Sequence, residues 1–335
     1  MSDKAVPVIG RSRVGAAFMA ALLVAVAGCS TAPIETDAAK AAKLTASLRT
    51  GPSTATLPTN DIVPVVTDPA ASAKADRIVA IDRNGTLGAI VFSLGLGSHV
   101  VGRDKSTTFP AARAVPVVTD AGHAINTERV LDTAPTIVLT GTDSNPAGAV
   151  DALRRAGLDV VQFSSERSVA STPGLIRSVA AALGVPDAGE RLVARTQAQI
   201  AEAQRTIPDL PSKPKIAFLY IRGEYLLLLA GPGSGADDLI DHLGGVDAGT
   251  ASGLTAAFTT VSAENLMAAD PDVILVMTQG AESVGGMDKV LALPAIAQTN
   301  AGRSKRIVEM DETQILMFGP DTGLVMGALA KAIYA

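Results

Sequence analysis

The sequence has no tryptophan, and only one cysteine, three histidines and three tyrosines in 335 residues; aromatic side chains make up 3% of it. A zinc site built from cysteine clusters is therefore excluded, and any metal chemistry must draw on very few nitrogen or sulfur ligands. A single cysteine allows no intrachain disulfide, so stability has to come from the core. Basic charge is not in excess either. The formal net charge is −5, which argues against a nucleic-acid partner, since that calls for a basic surface. There is no Gly-x-Ser-x-Gly nucleophile elbow, and three histidines do not suggest a catalytic triad. Apolar residues are plentiful, at 47% hydrophobic against 18% charged. A chain of this length exceeds what one hydrophobic core usually serves, so two domains are expected.

The amino terminus reads as a targeting segment. Lys4, Arg11 and Arg13 precede an uncharged run from Val14 to Gly28. That run is too short to span a bilayer but fits the apolar region of a signal peptide. It ends in Val26-Ala27-Gly28-Cys29, which resembles the lipobox of bacterial lipoproteins, where an acylated cysteine becomes the mature amino terminus. Residues 1–28 are thus expected to be a signal peptide and Cys29 the lipidated residue, with the protein held on the extracytoplasmic face of the cell membrane. Two or more acyl chains on one residue anchor stably, where one chain is marginal. Residues 29–75 are rich in Ala, Thr, Pro, Ser and Asp with no sustained period, and read as a flexible tether.

The globular part opens at Arg77. Strand-like runs at 77–81, 136–140, 159–163, 215–220, 225–230, 272–278 and 306–310 alternate with helical patterns, which makes the class α/β. Between Pro186 and Pro208 lies one long helical segment with Leu192, Val193, Thr196, Ile200 and Ala203 on one face. Pro186 suits a first turn and Pro208 forbids continuation. The flanking halves resemble each other: Glu128 to Pro135 leads into Thr136-Ile-Val-Leu139, and Glu264 to Pro271 leads into Asp272-Val-Ile-Leu275. The expected architecture is two α/β lobes, 76–185 and 209–335, joined by a connector helix over 186–208. The ligand cleft lies between the lobes, where carboxyl ends of parallel strands favour binding.

Several pieces resemble the haem-binding lipoproteins of bacterial haem ABC importers, within the helical-backbone class of substrate-binding proteins. They are Arg77-Ile-Val-Ala-Ile-Asp-Arg-Asn-Gly85, Gly122-His-Ala-Ile-Asn126, Leu219-Tyr-Ile-Arg-Gly223, Asp238-Leu-Ile-Asp-His-Leu-Gly-Gly245 and Gly319-Pro-Asp-Thr-Gly323. The resemblance covers residues 77–335 and implies a binding protein without catalytic residues. It implies that haem b is the transported ligand and that His123 and Tyr220 are the axial iron ligands, with Arg222 supporting the tyrosine. Imidazole and phenolate both ligate haem iron, and a nearby cation favours phenolate. Arg83, Arg103 and Thr107 are secondary candidates for cleft contacts. Glu264 matches a position that docks on the permease; the matching first-lobe position falls near Ala147, with Asp143 or Asp151 as substitutes. The implied partners are haem, an ABC permease with its ATPase, and upstream haem donors.

Three other readings compete. A siderophore or cobalamin could occupy the same scaffold, although siderophore pockets tend to use tryptophan, and this chain has none. A chelatase-like enzyme could share the α/β build. Gly231-Pro-Gly-Ser-Gly-Ala236 loosely fits a dinucleotide fingerprint, but no ribose-binding acid is evident. His99 and His242 read as surface and structural residues.

Overall fold

The computed structural model describes residues 36–67 and 76–334. The expected signal peptide and Cys29 lie outside the described residues. The first lobe is a four-stranded, wholly parallel sheet in the order β3-β2-β4-β5. Its elements are β2 (Ile78–Ile81), α2 (Thr86–Ser93), β3 (Val100–Arg103), α3 (Thr127–Asp132), β4 (Ile137–Gly141), α4 (Ala149–Arg155), β5 (Asp159–Phe163) and α5 (Thr172–Ala182). Every residue of β2 and β4 is buried, as continuous Ile/Val/Leu runs in a parallel sheet covered on both faces must be.

Helix α6 (Pro186–Arg205) follows, with Pro186 in its first turn. The stripe expected from sequence is the buried one: Leu192, Val193, Thr196, Ile200 and Ala203 face inward together with Ala188 and Gly189. The helix packs on α5 at one end, where a Cβ on Gly189 would meet Ala180 at 2.5 Å, and on the last helix of the chain along the rest of its length.

The second lobe comprises β6 (Lys215–Arg222), β7 (Leu226–Ala230), α7 (Ala236–His242), β8 (Val246–Asp247), α8 (Ala248–Ala251), β9 (Phe258–Thr260), α9 (Ala263–Ala269), β10 (Val273–Met277) and α10 (Thr278–Glu282). Short helices α11 (Met287–Ala292), α12 (Pro294–Ala297) and α13 (Asn300–Arg303) lead to β11 (Ile307–Met310), α14 (Glu312–Ile315) and α15 (Thr322–Ile333). The strand order is β1 (Ser53–Thr54)-β11-β10-β6-β7-β9, with β8 beside the start of β6. Strands β11, β10 and β6 run parallel, whereas β7 and β9 are antiparallel additions.

The internal resemblance between the lobes has a structural cause. Helices α3 and α9 each begin on a capping side chain, Asn126 accepting from the Arg129 amide and Ser262 from the Asn265 amide. Each ends on a non-glycine residue at positive φ just before the proline, Ala134 at 45° and Asp270 at 40°. The same helix–turn–strand unit is used once per lobe.

The described part of the expected tether is not free. Helix α1 (Asp37–Ser47) and β1 (Ser53–Thr54) precede the first lobe, yet β1 pairs in parallel with β11 of the second. Leu48 and Ala55 are buried in the second-lobe core. The chain then crosses to the first lobe, where Ile62 and Val65 pack on its core and the Val65 amide donates to the Ser93 carbonyl at 2.8 Å. Isolated apolar anchors hold this strap, and isolated anchors leave no period in a sequence.

Candidate functional site

Both lobes present the carboxyl ends of their parallel strands to the space between them, the usual binding edge of such sheets. The floor of that space is a set of contacts from the first lobe and α6 to the loop after α14. Asn84 Nδ2 donates to the Leu316 carbonyl at 3.1 Å, Thr172 Oγ1 to Phe318 at 3.2 Å and Thr196 Oγ1 to Pro320 at 2.9 Å. The Thr86 hydroxyl donates to the Met317 carbonyl. The backbone of residues 316–320, which leads into the Gly319-to-Gly323 motif, is thus a docking strip for the facing lobe and the connector.

On the first-lobe side a buried charge cluster fixes the strand ends. Asp82, directly after β2, pairs with Arg167 at 2.9 Å, their side chains 2% and 8% exposed. Asp104, directly after β3, is fully buried and accepts from the amides of Asp82 (3.1 Å), Ser106 (2.7 Å) and Thr107 (2.8 Å). Burial and the nearby Asp82 charge push the Asp104 carboxyl up to about 7, against the pull of those hydrogen bonds. Burial likewise raises Asp82, opposed by the Arg167 guanidinium. This cluster was not singled out from sequence. Its only signal is position, since charged residues follow wholly apolar parallel strands at their carboxyl ends.

His123 sits above that cluster. It ends a 3-10 turn, Ala121–His123, in which Gly122 and His123 are both left-handed, with φ of 67° and 62°. Histidine tolerates this region better than most side chains, and strained positions of this kind gather at ligand sites. The side chain is half-buried, with Nδ1 3.4 Å from Ser106 Oγ. Burial, then the Lys105 and Arg83 charges, lowers its pKa, with Asp82 opposing. The neutral imidazole, which is the metal-ligating form, is thereby favoured.

On the second-lobe side Tyr220 and Arg222 share one face of β6. The strand runs two residues beyond Tyr220 because β7 pairs back along it, Tyr220 opposite Leu228 and Arg222 opposite Leu226. The Arg222 guanidinium lies over the Tyr220 ring, 4.5 Å from its centroid, and donates to the Ile221 carbonyl at 2.8 Å. The guanidinium is thus a cation stacked on the tyrosine ring face.

The secondary candidates divide. Arg83 is exposed, lines the cleft and lies 3.9 Å from Asp143. Thr107 is fully buried with its hydroxyl bonded to Asp104, so it cannot touch a ligand. Arg103 is tied back to the Val115 and Asp104 carbonyls at 3.0 and 3.1 Å and serves the first-lobe loop. Glu264 is exposed near the start of α9, and Asp143 and Asp151 are also exposed. His99 is half-buried at the end of a short turn. His242 ends α7, with Nδ1 2.9 Å from the Asp238 carbonyl, a structural place.

Two cavities of about 410 Å³ lie between the lobes. One is walled by the strap together with Ser106, Phe109, Thr313 and Phe318. The other is polar, lined by Asp82, Arg83 and Arg167 on one side and Ser234, Asp237 and Asp238 on the other. The glycine loop before α7 is already occupied by its own chain. The Asp237 carboxylate accepts from the amides of Gly233 (2.8 Å) and Gly235 (3.0 Å), which leaves those amides unavailable to a phosphate and removes the dinucleotide reading.

Residues 78–313 match the family model described as periplasmic binding protein. Among solved structures, the chain is 33% identical to the haem-binding protein HmuT, covering 85% of this chain and 98% of that one at a TM-score of 0.78. The periplasmic haem-binding protein RhuT from Roseiflexus sp. RS-1, in its apo form, is 35% identical over 77% of this chain and 97% of its own, with a TM-score of 0.70. BhuT, in complex with two haems, is 30% identical over 76% and 97%, with a TM-score of 0.69. No curated protein matches the sequence significantly.

Proposed function

The chain belongs to the periplasmic binding protein family, and from that premise we propose that it captures haem outside the cytoplasm and delivers it to an ABC importer. Members of this family and the matched structures are binding proteins, not enzymes. The observation that carries the reading is the pairing of Tyr220 with Arg222 at the carboxyl end of β6. HmuT, the matched haem binder, has been solved in forms with single alanine replacements of a histidine, of a tyrosine and of an arginine two residues beyond that tyrosine. Tyr220 and Arg222 stand at the same spacing.

Haem enters this scheme as cargo. Tyr220 from the second lobe and His123 from the first ligate its iron on opposite faces, and Arg222 supports the phenolate as a cation on the ring. Arg83, exposed at the cleft, is available to a propionate. A permease and its ATPase receive the haem, with Glu264 on the exposed start of α9 as a docking acid. Cys29 carries the lipid that keeps the protein at the membrane.

The test is haem uptake by the purified mature chain. A Soret band on titration with haem is expected, and Tyr220→Ala is expected to lose most of the retained haem. A wild-type protein that stays colourless in the presence of haem overturns the reading.

A further inference from the structure

The face of the β6–β7 hairpin that carries Tyr220 and Arg222 continues on β7 in leucines that belong to none of the hydrophobic core clusters. Leu228 lies directly opposite Tyr220, and Leu226 directly opposite Arg222. Direct partners in an antiparallel pair point to the same side with Cβ atoms about 4.5–5.5 Å apart. On the other side of the same hairpin, Leu219, Ile221 and Leu229 are buried in one core cluster, with Leu227 packed against it. Leu226 and Leu228 have no such partners. Leu226 is 38% exposed and Leu228 half-buried. Phe258, opposite Ala230 and two residues from the Leu228 partner Thr260, continues the same face and is 37% exposed. Its ring meets Phe218 edge-on at 6.4 Å, which holds it in place at the border of the core.

Partly exposed leucines on a strand otherwise built from core residues leave apolar area in water unless something covers it. The site itself points to the occupant. This patch is continuous with Tyr220 and the Arg222 stacked on its ring, so a flat, largely apolar macrocycle whose iron the tyrosine held would lie beside it. We propose that Leu226, Leu228 and Phe258 form an apolar wall on which the porphyrin edge packs, so that haem is retained by hydrophobic contact as well as by iron ligation. The inference rests on the haem reading above and adds to it a second, iron-independent hold on the ligand.

Iron-free protoporphyrin separates the two holds, because it has a macrocycle and no metal to ligate. Wild-type protein is expected to bind it. The double variant Leu226→Gln/Leu228→Gln is expected to weaken binding of both iron-free porphyrin and haem about tenfold or more, roughly 1.4 kcal/mol for each factor of ten. The haem that the variant still binds is expected to keep the wild-type absorption maximum, since the axial ligands are untouched. Leu226→Met/Leu228→Met should restore binding, and thermal unfolding of the haem-free variants should match wild type. If the double Gln variant unfolds, the single substitutions Leu226→Ala and Leu228→Ala serve instead, and each should weaken binding of iron-free porphyrin. Folded leucine variants that take up both porphyrins as well as wild type overturn the wall and leave the haem reading standing. A wild type that binds haem but not iron-free porphyrin also overturns the wall, and a wild type that binds neither overturns the reading beneath it.

Discussion

Arg167→Met removes one half of a buried ion pair while keeping its length, and the structure sets the size of the effect. The Asp82 and Arg167 side chains are 2% and 8% exposed and 2.9 Å apart. Beside them the fully buried Asp104 accepts from the Asp82 amide. Deleting one partner of such a pair costs about 3–5 kcal/mol, because the other is left charged and dry. For domains of this size 1 kcal/mol moves the melting point by about 2–4 °C, so a loss of roughly 6–20 °C is expected at pH 8. The pH dependence fixes the sign. Burial already raises the Asp82 carboxyl and Arg167 is the main influence lowering it, so the variant raises it further. A carboxyl raised in the folded state stabilises most below its unfolded value, and that stability is lost as pH rises through the folded value. The deficit should therefore be smaller near pH 5, where Asp82 can take up a proton, than at pH 8. Wild type itself should lose some stability as pH climbs from about 4 towards 7, because Asp104 is raised to about 7. Circular dichroism melts at the two pH values measure both effects, and Asp82→Asn/Arg167→Met should recover much of the loss at pH 8. A deficit below about 1 kcal/mol, or one equal at pH 5 and pH 8, refutes the reasoning.

His123→Ala should leave haem bound through Tyr220 with an altered absorption spectrum, and a spectrum identical to wild type removes His123 from the iron. Arg222→Ala should release haem at a higher pH on acidification, because the cation lying on the ligand's ring is lost. Coincident release curves remove the support role. Cys29→Ala should move the protein from the membrane to the soluble fraction, and unchanged membrane association rules out the lipid anchor.

The elements legible in the sequence were those with a period or a punctuation mark. The α6 stripe was readable because five apolar or small residues repeat at helical spacing between two prolines. The paired helix–turn–strand units were readable because each places glutamate seven residues before proline. The strand carrying Tyr220 was readable because its apolar run had to be a buried strand, but its end was not, since β6 continues through Ile221 to Arg222. What sequence could not show was contact across long separations. Thr107 looked available because a threonine after a strand usually faces a loop, but Asp104 three residues earlier claims its hydroxyl. The strand period places Arg222 on the face of Tyr220, but that the guanidinium lies on the ring depends on rotamers that spacing does not fix.

The strap changes what joins the lobes. From sequence the connector helix alone joins them, and the segment before Arg77 is a tether. In the structure residues 48–57 are built into the second lobe through β1 and Leu48, and residues 61–67 into the first lobe. There the Asp61 carboxylate accepts from the Ala111 amide at 3.0 Å, and the Val65 amide donates to Ser93 at 2.8 Å. Arg191 of α6 closes the strap from outside, donating to the Val66 carbonyl at 2.7 Å. The strap therefore links the two lobes a second time, beside α6 and the floor contacts to residues 316–320. The Tyr220 and Leu226 end of the β6–β7 hairpin takes no part in either set of bonds.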